Sequence, residues 1–519
     1  MRRLLSCEPP GVTARYRAIS RLTEGSEGGG SYGGSASTLS RSSTAGRSRS
    51  SLLTERLSEP WSHREASGSE DAQQRGVGRS GVANAAFNVM AEVMGAGMLS
   101  LPHAIATLGW VVGLSSVGLF GALSAYSGCI LVRTKIDLFP DAESFADLAI
   151  ATVGGRFGTF TRVAVLLSWA LLLPFFLIAI VNAMRLAFPH LHLCTLELLG
   201  LAAAALVLPL QLQTLHAISY AASLSTAAMI AASAIALTSL ATEPASNTTA
   251  VGDVGGVGGG DHSLWPVALA DLGDGQLSPT AILDLIGATC AVVFAYQGQS
   301  MYLEIAREMT RPARFAYASL IANGSMAAVY LAAATVGYAN RGATVSGFLP
   351  DSMAEGPAKV ATGSLLACHL IVSYVVTAQP LHRAAHAALF PHDAAARAAA
   401  AGRPASAARW LLTTMGTLLL AVVVGAAVPF FAQFQALLGA LSGAPTLCGW
   451  PALFLLRGAA VRGVRLRIVE RVVCLTMLYV LTPALVAMGS ASAVAGIVRA
   501  WGAPESSPLS GCALPHTYS

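Results

Sequence analysis

Charge is scarce in this sequence. Asp, Glu, Lys and Arg make up 11% of the 519 residues, against 54% hydrophobic ones. A soluble body of this length needs far more charge to cover its surface, so the composition excludes one and makes lipid the outer solvent. Informative cysteine spacing is missing too. The eight cysteines are scattered, with no C-x-x-C pair and no metal-ligand spacing. Most of them, such as Cys129, Cys290, Cys368 and Cys474, lie in apolar runs, where a free thiol is a small hydrophobe. There is no P-loop, no H-E-x-x-H and no G-x-S-x-G elbow, which argues against ATP-driven transport and against an enzyme. The Gly-rich run at 254–260 has no strand–helix context and reads as a flexible linker. No cofactor, metal or nucleic-acid partner is implied.

What is present is a series of apolar runs, each about 20 residues long, the length that crosses roughly 30 Å of hydrocarbon as a helix. Their approximate bounds are 83–106, 110–132, 159–183, 195–211, 216–241, 280–303, 317–338, 362–386, 410–431, 434–456 and 472–498. Backbone groups must be satisfied inside lipid, so these predict an all-α polytopic protein of about eleven transmembrane helices. The run from Leu196 to Leu210 is the shortest. Residues 1–80 differ in kind. They are rich in Ser, Gly and Arg without apolar period, and predict a disordered tail. Its Arg/Ser patches suit phosphorylation or anionic lipid as well as plain solvation. The membrane domain is 81–500, and 501–519 is a short tail.

Loops after the even-numbered helices are basic, with Arg133 and Lys135, Arg307, Arg311 and Arg314, Arg383, Arg397 and Arg403, and Arg457, Arg462, Arg465 and Arg467. The opposite loop at about 242–279 has Glu243, Asp253, Asp261, Asp271 and Asp274 but no Lys or Arg. The positive-inside rule puts the even loops and the N-terminal tail in the cytoplasm, and the C-terminal tail outside or in a lumen. Asn247-Thr248-Thr249 is a glycosylation sequon in a loop assigned to the outer side, so Asn247 is the candidate glycan acceptor. Asn323-Gly324-Ser325 also matches but falls inside the seventh helix. Cys194 and Cys512 would share the outer side, where a disulfide between them is allowed. Plasma membrane and vacuolar or lysosomal membrane are not distinguished.

The first helix holds the chemistry. Gly95, Gly97 and Pro102 cluster in mid-membrane and predict an interruption near 94–98. Unwound backbone in a membrane lines a cavity, and its N–H groups and the following half-helix suit a carboxylate. Asn84, Asn88 and Glu92 are four residues apart and share one helix face. Glu92 is an ionisable group within a spanning segment, suited to an ion path or to a structural polar contact. The sixth helix has a counterpart, Phe294-Ala295-Tyr296-Gln297-Gly298-Gln299-Ser300, followed by Glu304 and Glu308. Two interruptions five helices apart are the pattern of an inverted-repeat transporter with its site near the midplane. In the eighth helix His369, Ser373 and Thr377 share a face. Ser and Thr oxygens suit Na⁺, while His369 suits either a proton or an interhelical hydrogen bond. Tyr296 and Tyr374 read equally as cavity walls or as packing.

At these residues the sequence resembles the amino acid/auxin permease family. The likeness rests on Asn88, then Gly95-Ala96-Gly97-Met98-Leu99-Ser100-Leu101-Pro102-His103-Ala104 and Leu108-Gly109-Trp110. It continues through Phe294 to Gln299, Glu308-Met309, Pro312 and Phe315, then His369 to Tyr374, Pro380, Pro429-Phe430-Phe431 and Gly439-Ala440. The resemblance implies a LeuT-type fold, a 5+5 inverted repeat with broken helices 1 and 6. It implies secondary active transport of amino acids, neutral ones above all, driven by H⁺ or Na⁺. Backbone at Gly95, Ala96 and Gly97 would then hold the substrate carboxylate, and Tyr296, Gln297 and Gly298 would take the amine and side chain. Met94 backbone and the Ser373 hydroxyl would fall near a cation site, with Asn88, Glu92 and Thr377 as further coupling candidates. Na⁺-coupled members often carry Asn four residues before the first motif Gly. Ala91 stands there in this chain, beside Glu92, and favours H⁺ coupling. Na⁺ coupling, a transporter-like sensor acting through the long tail, and auxin-like or polyamine substrates remain the competing readings.

Overall fold

The computed structural model describes residues 80–191, 193–211, 215–242, 263–266, 279–391, 404–428 and 430–502. The tail up to residue 79, Asn247 and Cys512 lie outside them. Among the described residues every regular element is helical, and the β geometry consists of one isolated bridge between Ser80 and Met309.

Span 1 is the helix Val82–Val93, a gap at Met94 and Gly95, and the tight 3-10 stretch Ala96–Ser100. It runs on into Leu101–Arg133, a stretch that holds two membrane crossings. The chain reverses at Gly109, with φ 71° and ψ 170°. A Cβ on Gly113 would lie 3.3 Å from Ile105 Cα, whereas eight residues of straight helix cover about 12 Å. Span 1 therefore ends at Leu108 and span 2 begins at Trp110. The reversal frees the N–H groups of Trp110 and Val111, and these donate to Ser263 and Leu264 carbonyls at 3.1 Å each. Glycine is needed at 109 because φ is positive and a Cβ would sit 2.5 Å from Trp265 backbone.

The remaining spans follow in order: span 3 Gly155–Ala187, span 4 Thr195–Val207, span 5 Leu215–Thr242 and span 6 Pro279–Ala295 resuming as Tyr302–Arg307. Span 7 is Phe315–Arg341, span 8 Pro357–Leu389 and span 9 Pro404–Ala427. Span 10 runs from Phe431–Leu438 through two wide turns to Trp450–Arg462, and span 11 from Ile468–Thr476 to Thr482–Gly502. Each of the eleven expected segments is helical. Nine helices among the described residues are long and apolar enough to cross a membrane; one of these is the doubled-back Ala96–Leu138, and span 4 is shorter. Apolar side chains such as Leu419, Leu420, Val472 and Val480 lie on the outside of spans 9 and 11, the surface that lipid covers.

Spans five apart pack on one another. Ser319 of span 7 donates to Ala125 O of span 2, and Gly363 of span 8 lies against Ala187 of span 3, where a Cβ would come within 2.6 Å of its N. Span 9 packs on span 4, and the two breaks of spans 1 and 6 meet. That i to i+5 pairing is what a pseudo-two-fold axis in the membrane plane produces; this is the LeuT-type arrangement expected from the resemblance. A short helix, Phe145–Thr152, joins spans 2 and 3. A capping box starts it, Ser144 Oγ accepting from Asp147 N at 3.2 Å while Asp147 accepts from Ser144 N at 3.0 Å. Its Phe145 ring packs 5.7 Å from Trp450 and 5.2 Å from Phe454. At the same end, Ser80 N donates to Glu308 O and Thr310 N to Ser80 O, each at 3.0 Å, tying the start of span 1 to the end of span 6. Cys194 is disulfide-bonded; the other described cysteines are free.

Candidate functional site

Two broken helices build the site. In span 1, Met94 (φ −76°, ψ 98°) and Gly95 (φ −148°, ψ −146°) are extended, and the helix stops at Val93. In span 6 the helix stops at Ala295 and Gly298 takes φ 178°, ψ 3°. Small residues let the breaks touch. A Cβ on Gly97 would lie 3.1 Å from Ala295 Cα and 3.3 Å from the Phe294 ring, and one on Gly298 would collide with Val93 Cγ2. Gly95, Gly298 and the 3-10 turn at Ala96 and Gly97 thus form one patch of backbone outside the α-helices. The N–H groups of Gly95, Ala96 and Gly97, at the start of the resumed half-helix, are free of the α-helical ladder and suited to an anion.

Aromatic rings wall this patch. Phe175 of span 3 stands 4.9 Å from Phe294 and 4.9 Å from Phe431, which in turn lies 5.2 Å from Phe348. Gln297 donates through Nε2 to Ser442 Oγ of span 10 at 2.6 Å, and its Oε1 has no partner. Tyr296 turns away from span 1. Its ring packs at 5.0 Å on Tyr330 of span 7, and its hydroxyl would meet a Cβ on Gly121 of span 2 at 3.0 Å. The Tyr296 side chain is packing, and its backbone is what belongs to the break.

The span 6 break is braced by hydrogen bonds. Tyr330 OH donates to Ala295 O at 2.9 Å. Tyr296 O accepts from Ser124 Oγ at 3.3 Å and from Gln299 Nε2 at 3.1 Å. Gln299 Oε1 takes the Gly298 N–H at 3.1 Å, and its Nε2 also reaches Ser124 Oγ at 2.9 Å.

The coupling candidates fall in two places. Asn84 and Glu92 are exposed and Asn88 half-buried; Glu92 follows buried Ala85 by seven residues and buried Val89 by three, so it stands at the edge of the packed face of Val82–Val93. Met94 is buried at the end of that half-helix. On span 8, His369 is buried, with Nδ1 2.9 Å from Ser225 Oγ of span 5. Its Nε2 lies 3.4 Å from Ser373 Oγ and faces the first break, 3.9 Å from where a Gly95 Cβ would be. His369 and Ser373 therefore stand beside Gly95, while Thr377 sits half-buried one turn further along span 8. Tyr374 is buried and its hydroxyl has no partner.

Sequence reasoning missed Ser225, Gln299 as a brace, and Gln435 of span 10. Gln435 is buried and donates through Nε2 to Gly97 O at 2.9 Å and to Ala291 O at 3.2 Å. An amide in an apolar run, with Gln433 two residues before it, was the available signal.

Several solved structures are similar to this chain. MhsT in complex with L-phenylalanine shares 13% identity, covering 81% of this chain and 100% of its own, with a TM-score of 0.48. A Na⁺-coupled sialic acid symporter in a substrate-bound outward-open state shares 12%, covering 89% and 95%, with a TM-score of 0.47. A manganese transporter of Eremococcus coleocola shares 15%, covering 83% and 90%, with a TM-score of 0.45. No curated protein matches the chain by sequence. Residues 78–499 match the family described as transmembrane amino acid transporter protein. Four-fifths of the sequence, with both breaks inside it, lies in that match, and the chain belongs to this family of amino acid transporters.

Proposed function

We propose that this transporter moves neutral amino acids and couples their passage to H⁺. The observation that supports it is the position of Glu92. It lies two residues before the first break, at the edge of the packed face of its half-helix, and no described cation pairs with it. A carboxyl group within a spanning segment that has no cation partner is suited to take up and release a proton from a water path. His369 adds support. An imidazole stands beside Gly95 and engages Ser373, where a Na⁺ site would need free oxygen ligands. The substrate's carboxylate is assigned to the N–H groups at Gly95, Ala96 and Gly97. Its ammonium and side chain are assigned to the Tyr296–Gly298 backbone and the Gln297 amide. Phe175, Phe294 and Phe431 offer apolar surface, which suits an uncharged side chain. The N-terminal tail and the Arg-rich loops are placed on the cytoplasmic side.

Uptake into proteoliposomes under imposed pH and Na⁺ gradients tests this. An inward H⁺ gradient should drive accumulation of neutral amino acids with choline in place of Na⁺. Uptake that needs Na⁺ and ignores pH would replace H⁺ by Na⁺ as the driver. A competition panel that includes indole acids and polyamines tests the substrate class.

A further inference from the structure

We propose that Gln435 is a positioning residue that sets the geometry of the substrate-binding backbone, with span 10 acting as the clamp that holds both breaks in register. The inference rests on amino acid binding at the breaks and not on which cation drives transport. Gln435, Gly439 and Gly443 are four residues apart, a stripe along span 10. Glycine in that stripe brings span 10 against span 6. A Cβ on Gly439 would collide with the Cys290 carbonyl, and one on Gly443 would lie 3.1 Å from Val293 and 3.3 Å from Gln297 Oε1. Close approach through glycines four apart is how membrane helices pack without a hydrophobic drive.

At the end of the stripe the Gln435 amide reaches across. One N–H takes Gly97 O in the span 1 break and the other takes Ala291 O in span 6, one turn before its own break. A trans peptide points its C=O and the following N–H in opposite directions. Anchoring Gly97 O toward span 10 therefore fixes the Met98 N–H, which turns back to Gly95 O at 3.3 Å and closes the tight turn that carries the Gly95, Ala96 and Gly97 N–H groups. The second grip is Ser442, which accepts from Gln297 at 2.6 Å. Both breaks thus take their position from one element, and Gly97 O is not left bare beside a bound carboxylate. Gln435 touches backbone, so it acts through the residues it holds.

The test uses full-length protein in proteoliposomes, with initial uptake of L-alanine and L-phenylalanine measured against concentration. Gln435→Met keeps the volume and removes both donors. Loss of both hydrogen bonds predicts a KM raised about tenfold or more, with Vmax per reconstituted transporter little changed. A purely structural role would lower Vmax and the yield of folded protein and leave KM alone. Gln435→Glu supplies a second reading. Only its protonated form donates, so its KM, taken relative to wild type at each pH, should fall between pH 7.5 and 5.5 while that of Gln435→Met stays level. Unchanged KM in Gln435→Met, or Gln435→Glu tracking Gln435→Met at every pH, overturns the positioning role. A wild type that transports neither amino acid would overturn the assignment of the site as well.

Discussion

The two breaks are built from similar residues and held in different ways. The span 6 break is buried at Tyr296 and Gln299, and its carbonyls and N–H groups are taken by Tyr330, Ser124 and Gln299. The span 1 break has Gln435 on one carbonyl, a long Met98 N to Gly95 O contact of 3.3 Å, and a preceding half-helix with one face uncovered. Backbone groups held by more hydrogen bonds are held more firmly, and those held by fewer are where a site gives. Span 6 is thus the fixed reference and span 1 the responsive half. Glu92 is on the responsive half, where a change of protonation can move something.

The largest expected effect comes from forcing the two breaks apart. Gly298→Ala places a methyl group against Val93 Cγ2. Overpacking costs about 1–3 kcal/mol, enough to lower uptake about tenfold or more, and Val93→Ala in the same chain should restore most of it. Gly298→Ala with normal uptake would mean that the breaks do not need this contact. Next is Glu92→Gln. If span 1 answers to a proton, uphill accumulation should fall about tenfold, an equivalent of about 1.4 kcal/mol of lost coupling. Exchange of labelled for unlabelled amino acid should persist, because the backbone patch is untouched. Loss of exchange and accumulation together would make Glu92 part of binding instead.

Much of this was legible in the sequence, because it follows from chain length in lipid and from glycine. Apolar runs of spanning length located every span, though not the short helix Phe145–Thr152, and Gly95, Gly97 and Gly298 marked the breaks. Asn323, the second sequon, is indeed buried in span 7. What was not legible depends on helix rotation. The period of a helix says that Asn84, Asn88 and Glu92 share a face, but not that this face runs along the edge of the packed one. Tyr296 read equally as wall or packing, and only the neighbouring Gly121 and Tyr330 decide that its ring turns from span 1. Gln435 contacts a residue 338 positions away in sequence, which no local pattern contains. The reversal at Gly109 was anticipated as a boundary between segments, but its closure by Ser263 and Leu264 carbonyls was not.

The braced break can be loosened selectively. Gln299→Leu removes its bonds to Ser124 Oγ, Tyr296 O and Gly298 N. At about 1 kcal/mol each, this should lower the thermal unfolding midpoint in detergent more clearly than it alters pH dependence. A Gln299→Leu protein with wild-type unfolding but altered pH response would reverse the roles given to the two breaks. The smallest effect is expected at Asn84, which lies on the same face as Glu92 but about 12 Å further from the break. Asn84 is exposed, so Asn84→Ala should change uptake less than about twofold, as surface substitutions cost within about 0.5 kcal/mol. If instead it shifts the pH dependence as far as Glu92→Gln, this face works as one polar track. The responsive element is then the whole half-helix Val82–Val93, clasped to span 6 through Ser80, and not its last turn alone.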